Sequence, residues 1–421
     1  MDLFSALQTS VSGLQAQSYA ISNISGNIAN SQTTGFKRVD TSFVDLMSET
    51  TPKREVAGSV LAQSQLTNTI AGNVVSSTIP TNMSISGSGF FTVVQKTGDA
   101  NGQSAFSGTN AYTRRGDFAQ DKDGYLMNGA GGYLTGTNLD PITGQTTSTG
   151  LVNVGNATLP AQATTTIKYA ANLPATPDTS ATTTPPNSIL GPSITAYTAT
   201  GAPVTVNMRW SKDPSAGANS TSSSWTLSYD AGTNGTANWK AVDTKFTFDS
   251  TGKLTGPAAG SVSLGDPTIG GYTFAGLALD ISGGLTQYAD TTGAVTTNTL
   301  SQNGNNSGTL TSVAVGADGK INGTFSNGTV VAIATVGIAQ FANPDGLRAD
   351  SKGNYLQTAD SGPPLAGLND STITGASNEQ SNTDIATEFS KMIVTQQAYS
   401  ANTRVMSTAQ TMMSDLLNVI R

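Results

Sequence analysis

Cysteine and histidine are absent from this chain of 421 residues. Their absence removes Cys and His nucleophile–base pairs, imidazole general-base chemistry and the ordinary zinc sites together. A chain without cysteine also suits export in an unfolded state, because it has no disulfide traps. Charge is scarce: Asp, Glu, Lys and Arg make up 11% of residues, where about 25% is usual. The net charge of -7 comes without basic clusters, which argues against nucleic acid or an anionic membrane as partner. No run approaches the roughly 18 apolar residues of a membrane span, so no direct membrane insertion is expected. The first basic residue is Lys37, too late for the charged start of a conventional signal peptide. What is abundant is glycine, 46 residues of it among many Ser, Thr and Asn, the composition of short strands joined by turns. A chain this long buries more than one core, so two or three domains are expected.

Periodicity is strongest at the two ends. Ile385, Phe389, Met392, Gln396, Tyr399, Thr403, Met406, Gln410, Met413, Leu417 and Ile420 follow at alternating spacings of four and three, which predicts a heptad seam on one helix over 383–421. Asn382 or Thr383 is placed to cap it, and Asp384 and Glu388 suit the positive end of its dipole. The seam is polar in the middle, so it calls for particular partners. Leu7, Leu14, Ile21 and Ile28 repeat the pattern over 1–30. Gly13 and Gly26 each cost that helix about 1 kcal/mol relative to alanine, so it forms only when something packs on it. The two ends are therefore expected to pair with each other and with other subunits in a coiled-coil-like layer, with everything between them inserted.

Asn30, Gly35 and Phe36 mark the stop of the first helix. Residues 31–72 read as an extended linker lying on a neighbour. From 73 the period becomes two, giving a first β domain over 73–173 that resumes at 301–362. Met83–Ser86 and Phe90–Val94 read as strand, turn, strand. Pro174, Pro177, Pro185 and Pro186 mark a boundary, after which 174–300 form an outer β domain with alternating strands at Val204–Trp210, Trp225–Tyr229 and Phe246–Phe248. Residues 363–382 form a second linker. The expected fold is mainly β with helical termini, two nested β domains lying between paired helices.

Acidic residues cluster in a repeated turn: Asp121-Lys122-Asp123-Gly124, Asp249-Ser250-Thr251-Gly252, Asp318-Gly319 and Asp350-Ser351-Lys352-Gly353. The first of these resembles a calcium loop but lacks the glutamate that should close it, with Gly129 standing six residues past the second Asp. These acids read as turn formers, so no metal, cofactor or catalytic carboxylate pair is expected and the chain does not read as an enzyme.

Ser12-Gly13-Leu14, Asn27-Ile28-Ala29-Asn30 and Thr34-Gly35-Phe36-Lys37 at one end, with Ser381-Asn382-Thr383-Asp384-Ile385-Ala386 and Gln397-Ala398-Tyr399 at the other, resemble the bacterial flagellar axial proteins of the rod and hook. The resemblance covers about half the chain, and its length and outer domain favour the hook side of that family over a distal rod protein. It implies a homopolymer forming a curved tube, exported unfolded by the flagellar type III apparatus. Its implied neighbours are rod proteins, a hook cap and hook-filament junction proteins. A secreted β-rich adhesin or phage-tail-like protein shares the composition but has no need of matching seams at both ends.

Overall fold

The computed structural model describes residues 3–46, 59–100, 103–155, 157–178, 183–214, 222–233, 235–258, 260–367 and 371–419. Helix α1 spans Leu3–Ala29 and helix α2 spans Ile385–Val419. Asn27 bonds Glu388 and Gly13 lies against Asn402, so the two helices run antiparallel. A β-carbon at position 13 would sit 3.0 Å from the Asn402 amide nitrogen. The weak helix former is thus the residue that lets the helices approach. The helix starts two residues later than the expected 383: the Asp384 carboxylate caps it, accepting the Thr387 N–H at 2.7 Å. Asn382 is occupied elsewhere, accepting the Arg38 N–H.

Within 31–72 the described residues form paired strands rather than an extended linker. Strand β1 (Val39–Leu46) pairs antiparallel with β2 (Ser59–Leu66) in continuous register from Val39 opposite Leu66 to Leu46 opposite Ser59. Both strands pack on α1. Alternation within them was masked by their polar composition, since Gln63, Ser64 and Gln65 point to no buried face.

Two compact units divide the chain: residues 1–156, 312–323 and 330–421 form one, and 157–311 with 324–329 the other. In the first, strand Phe90–Ala100 is central and pairs with Ala111–Thr113, Gly132–Leu139 and Ile338–Gln340. Phe90, Tyr112, Phe341, Leu347 and Tyr355 close its core, with the rings of Tyr112 and Phe341 edge-to-face at 4.7 Å. Met83–Ser86 pairs with Thr372–Gly375 rather than with the strand that follows it. Gly87–Gly89 therefore passes between sheets instead of closing a hairpin. Val330–Val336 and Ile338–Gln340 are separate strands broken at Gly337.

The second unit begins earlier than the proline cluster. Strand Thr166–Asn172 pairs with Ala278–Asp280, Leu285–Thr286 and Thr296–Gln302, so the prolines lie on a connection inside the unit. Its other sheet runs in the order Ser188–Tyr197, Pro203–Lys212, Ser222–Asp230, Trp239–Asp249, Leu254–Gly256. The two sheets enclose one core, in which Val204, Val206, Met208 and Trp210 alternate inward and meet Trp225, Phe246 and Tyr169. The Trp210 indole donates to the Tyr169 hydroxyl at 3.2 Å, and burial pushes the Tyr169 phenol up to about 12.

The repeated aspartates do form turns. Asp121, Asp249 and Asp350 each accept backbone N–H bonds from residues two and four further on. Asp318 accepts the Lys320 N–H. Carboxylates used this way replace a missing strand partner with a local one.

Candidate functional site

Where the chain ends meet the β body, three buried charges share one place. Glu379 is 1% exposed and lies between Lys37 and Arg114, each 2% exposed. The Lys37 ammonium reaches one carboxylate oxygen at 2.5 Å and the Arg114 guanidinium the other at 3.4 Å. Lys37 also donates to the Ile70 carbonyl, and Gly72 N–H donates to the first Glu379 oxygen. Arg114 donates to the carbonyls of Ile85 and Gly87 and stacks over the Phe90 ring at 5.1 Å. Burial holds both Lys37 and Arg114 below their ordinary values, with Glu379 pulling back toward the charged form. A single carboxylate thus ties together the end of the first helical motif, the end of the β1–β2 segment and the β core. Separating them would leave two cations unpaired in a dry site.

Gly35 makes this closure possible. It has φ of +67°, and a β-carbon there would fall 2.6 Å from the Arg114 carbonyl carbon. Its N–H donates to the Glu379 carbonyl at 2.8 Å. Asn382 is a second knot: its side-chain oxygen accepts the Arg38 N–H at 2.7 Å while its amide donates to Thr67 and Ile70. Asn68 extends the chain of bonds to Asp345 and Pro344 in the turn between Phe341 and Leu347.

Between the helices the ties are also polar. Asn27 is 2% exposed; its amide donates to the Val39 carbonyl and to Glu388, and its oxygen accepts the Val39 N–H, all at 2.9 Å. Lys391 bridges Glu388 at 2.9 Å and Asp40 at 2.8 Å. Burial draws Lys391 down, but these two partners outweigh it and raise it above its ordinary value. Asn23 donates to Thr41 on β1, and Tyr19 shares a hydrogen bond with Ser64 on β2.

The residues singled out by spacing fall in different settings. Leu7, Leu14, Ile21, Ile28 and Asn30 are half-buried, while the fully covered positions of α1 are Ser10, Ala16, Ala20, Ile24 and Asn27. Gly35 is buried and Phe36 half-buried in the junction. On α2, Met392, Met406 and Met413 are half-buried, and Ile385, Phe389 and Tyr399 are exposed. Ile420 and the Leu417 side chain lie outside the described residues. The Glu379–Lys37–Arg114 cluster was not singled out by sequence reasoning. Three isolated charges far apart in the chain carry no spacing signal, although low overall charge makes each remaining one worth asking about.

Two segments match family models, residues 7–37 that of the flagella basal body rod protein and 375–419 that of the flagellar basal body rod FlgEFG protein C-terminal. Together they contain Asn27, Lys37, Glu379, Asn382 and Glu388, so the class defined by the joined ends is that of flagellar rod and hook proteins. Over its full length the chain is 33% identical to the flagellar hook protein FlgE of Brucella abortus, covering 100% of both. It is 29% identical to that of Salmonella typhimurium, covering 97% and 98%. The crystal structure of Helicobacter pylori flagellar hook protein FlgE2 aligns over 71% of this chain and 98% of its own, at 15% identity and a TM-score of 0.48. The chain belongs to the flagellar hook protein FlgE family.

Proposed function

We propose that this chain is the structural subunit of a bacterial flagellar hook, polymerising outside the cell into a curved tube that carries torque from rod to filament. The observation that supports this most is the joining of the chain ends, helix to helix and through Glu379, combined with full-length likeness to hook proteins. A tube that spins about its own bent axis must let each row of subunits lengthen and shorten once per turn. Some contacts must therefore hold while others exchange. The helical layer holds, with Leu7, Leu14, Ile21, Ile28, Ile385, Phe389, Met392, Tyr399, Met406, Met413, Leu417 and Ile420 as subunit-facing positions and Asn30, Gly35 and Phe36 at its junction. The β surfaces, rich in Ser, Thr and Asn, exchange one weak hydrogen bond for another at a net worth of about 0.5 to 1.5 kcal/mol each. The outer β region around 174–300 faces outward.

In this reading the chain leaves the cell through the flagellar type III apparatus without a cleaved signal, is added beneath a hook cap, and meets rod proteins below and junction proteins above. Its acids serve turns and ties, and it has no catalytic role. Immunogold electron microscopy of isolated flagellar bases, with antibody against 174–300, tests the reading. Gold along the short curved segment is expected; gold only on the straight rod, or none on the structure, rejects it.

A further inference from the structure

Helix α2 is covered on one stripe only. Glu388 and Ala409 are buried, and Lys391, Met392, Asn402, Met406 and Met413 are among the half-buried positions, which together fall within about 140° of the helix at about 100° per residue. Ile385 lies at one edge of that band and Phe389, 50% exposed, beyond it, about a third of a turn to that side. About as far to the other side, Val394, 65% exposed, lines an open groove of about 640 Å³ between α1, β1 and α2. Ala20, Ile24, Val39 and Phe43 form its apolar walls. One helix therefore carries an apolar ridge and an apolar groove on opposite flanks.

Charge identifies the occupant. The charged residues lining the groove are Asp40, Glu388 and Lys391; Lys391 bonds both acids and Arg38 lies 3.4 Å from Asp40, so neither acid is left without a counter-charge. A basic or acidic partner gains nothing there. From Met392 to Thr403, α2 has no charged residue, and α1 has none from Leu3 to Ala29. The face that matches this neutral groove in composition is the ridge of another copy.

We propose that the α2 ridge around Phe389 of one copy seats in the α1–β1–α2 groove beside Val394 of a second copy, a head-to-tail contact that repeats sideways from subunit to subunit. This deepens, and rests on, the reading of the chain as a hook subunit. A contact made from two different patches does not close on itself as a dimer; it continues as a ring or an open helical array, as a tube wall requires. The ridge alone is a small area, so the free chain stays monomeric and the contact forms when many subunits add together.

The absence of native cysteine makes the test direct. The double variant Phe389→Cys/Val394→Cys places two thiols five residues apart on one helix, about 7.5 Å along its axis, beyond the roughly 7 Å that a disulfide spans. Any bridge between them must join two copies. Mild oxidation of hooks assembled from it should give a reducible ladder of dimers, trimers and larger species, while each single variant stays monomeric. Hooks that assemble but give no ladder, or dimers only from Phe389→Cys alone, overturn the ridge-and-groove contact and leave the hook-subunit reading standing. Failure of the native chain to appear in hooks overturns that reading instead. As an independent arm, Ser390→Trp at the groove rim should reduce hook number at least tenfold with the far-ultraviolet circular dichroism of the free chain unchanged; normal hooks from this variant reject the contact.

Discussion

The second unit and the joined chain ends fill the space between their backbones with different matter. Trp210, Trp225, Phe246 and Phe248 are fully buried in the one, where the Trp210 indole bonds the Tyr169 phenol. In the other, the covered positions are Ser10, Ala16, Ala20, Asn27, Lys37, Glu379, Glu388 and Ala409 with the single larger apolar residue Ile24 on α1, and the large apolar side chains Phe389, Ile393 and Val394 lie outside. An aromatic core is stable wherever its sheets meet, because the stabilising term is area removed from water. A layer of small residues and paired polar groups is specific about position but withdraws little apolar area. The first is a finished domain; the second is one part of a larger packing.

Tryptophan separates the two regions experimentally, since all three, Trp210, Trp225 and Trp239, lie in the second unit. The largest effects should come from each region's centre. Glu379→Gln leaves Lys37 and Arg114 buried without a counter-charge and should cost about 3–5 kcal/mol. Its signature is an earlier circular-dichroism transition with an unchanged tryptophan-fluorescence transition. Trp210→Ala should cost a similar amount, about 3–5 kcal/mol, through the cavity it leaves, and should move the fluorescence transition of Trp225 and Trp239 instead. If either substitution moves both transitions equally, the two regions are energetically one body and the contrast fails.

Smaller changes sharpen the comparison within the chain ends. Asn27→Ala removes three hydrogen bonds and leaves Glu388 buried beside Lys391. A loss of about 1–3 kcal/mol is expected, read as faster amide exchange in α1 and β1 while the 203–249 strands keep their protection. Gly26 has nothing within 4 Å of where a β-carbon would sit, so Gly26→Ala should stabilise α1 by about 1 kcal/mol, seen as added helicity in the free chain. At Gly13 the same change meets Asn402 and should not help.

The start of α2 titrates in both directions, with the smallest effect of the set. Asp384 is held below its ordinary 3.8 by the Thr387 N–H, so its contribution is present above that value and lost as pH falls through the lowered one. Lys391 is held above 10.5, so its contribution is complete below that value and lost as pH rises through the raised one. Helical circular dichroism should be flat between these limits and decline outside them; an optimum inside the window would mean another group controls the helix end.

Alternation at Val204–Trp210, the Asp-containing turns and the heptad spacing at both ends were readable in the residues themselves, because each depends on neighbours within a few positions. Which face of α2 is covered was not: Ile385, Phe389 and Tyr399 carry the regular heptad spacing, yet Glu388 and Asn402 lie against α1, where small and amide side chains allow close approach at Gly13. Strand Thr166–Asn172 joined the second unit across the prolines because its partners lie more than a hundred residues on. By itself the sequence determined the local elements, the absence of thiol and imidazole chemistry, and the likeness of its two ends. Only the tertiary structure decided that Lys37, Arg114 and Glu379 share one buried site, since separations of 342 and 265 residues leave no periodic trace and the cost of burying a charge is resolved only when its partner arrives.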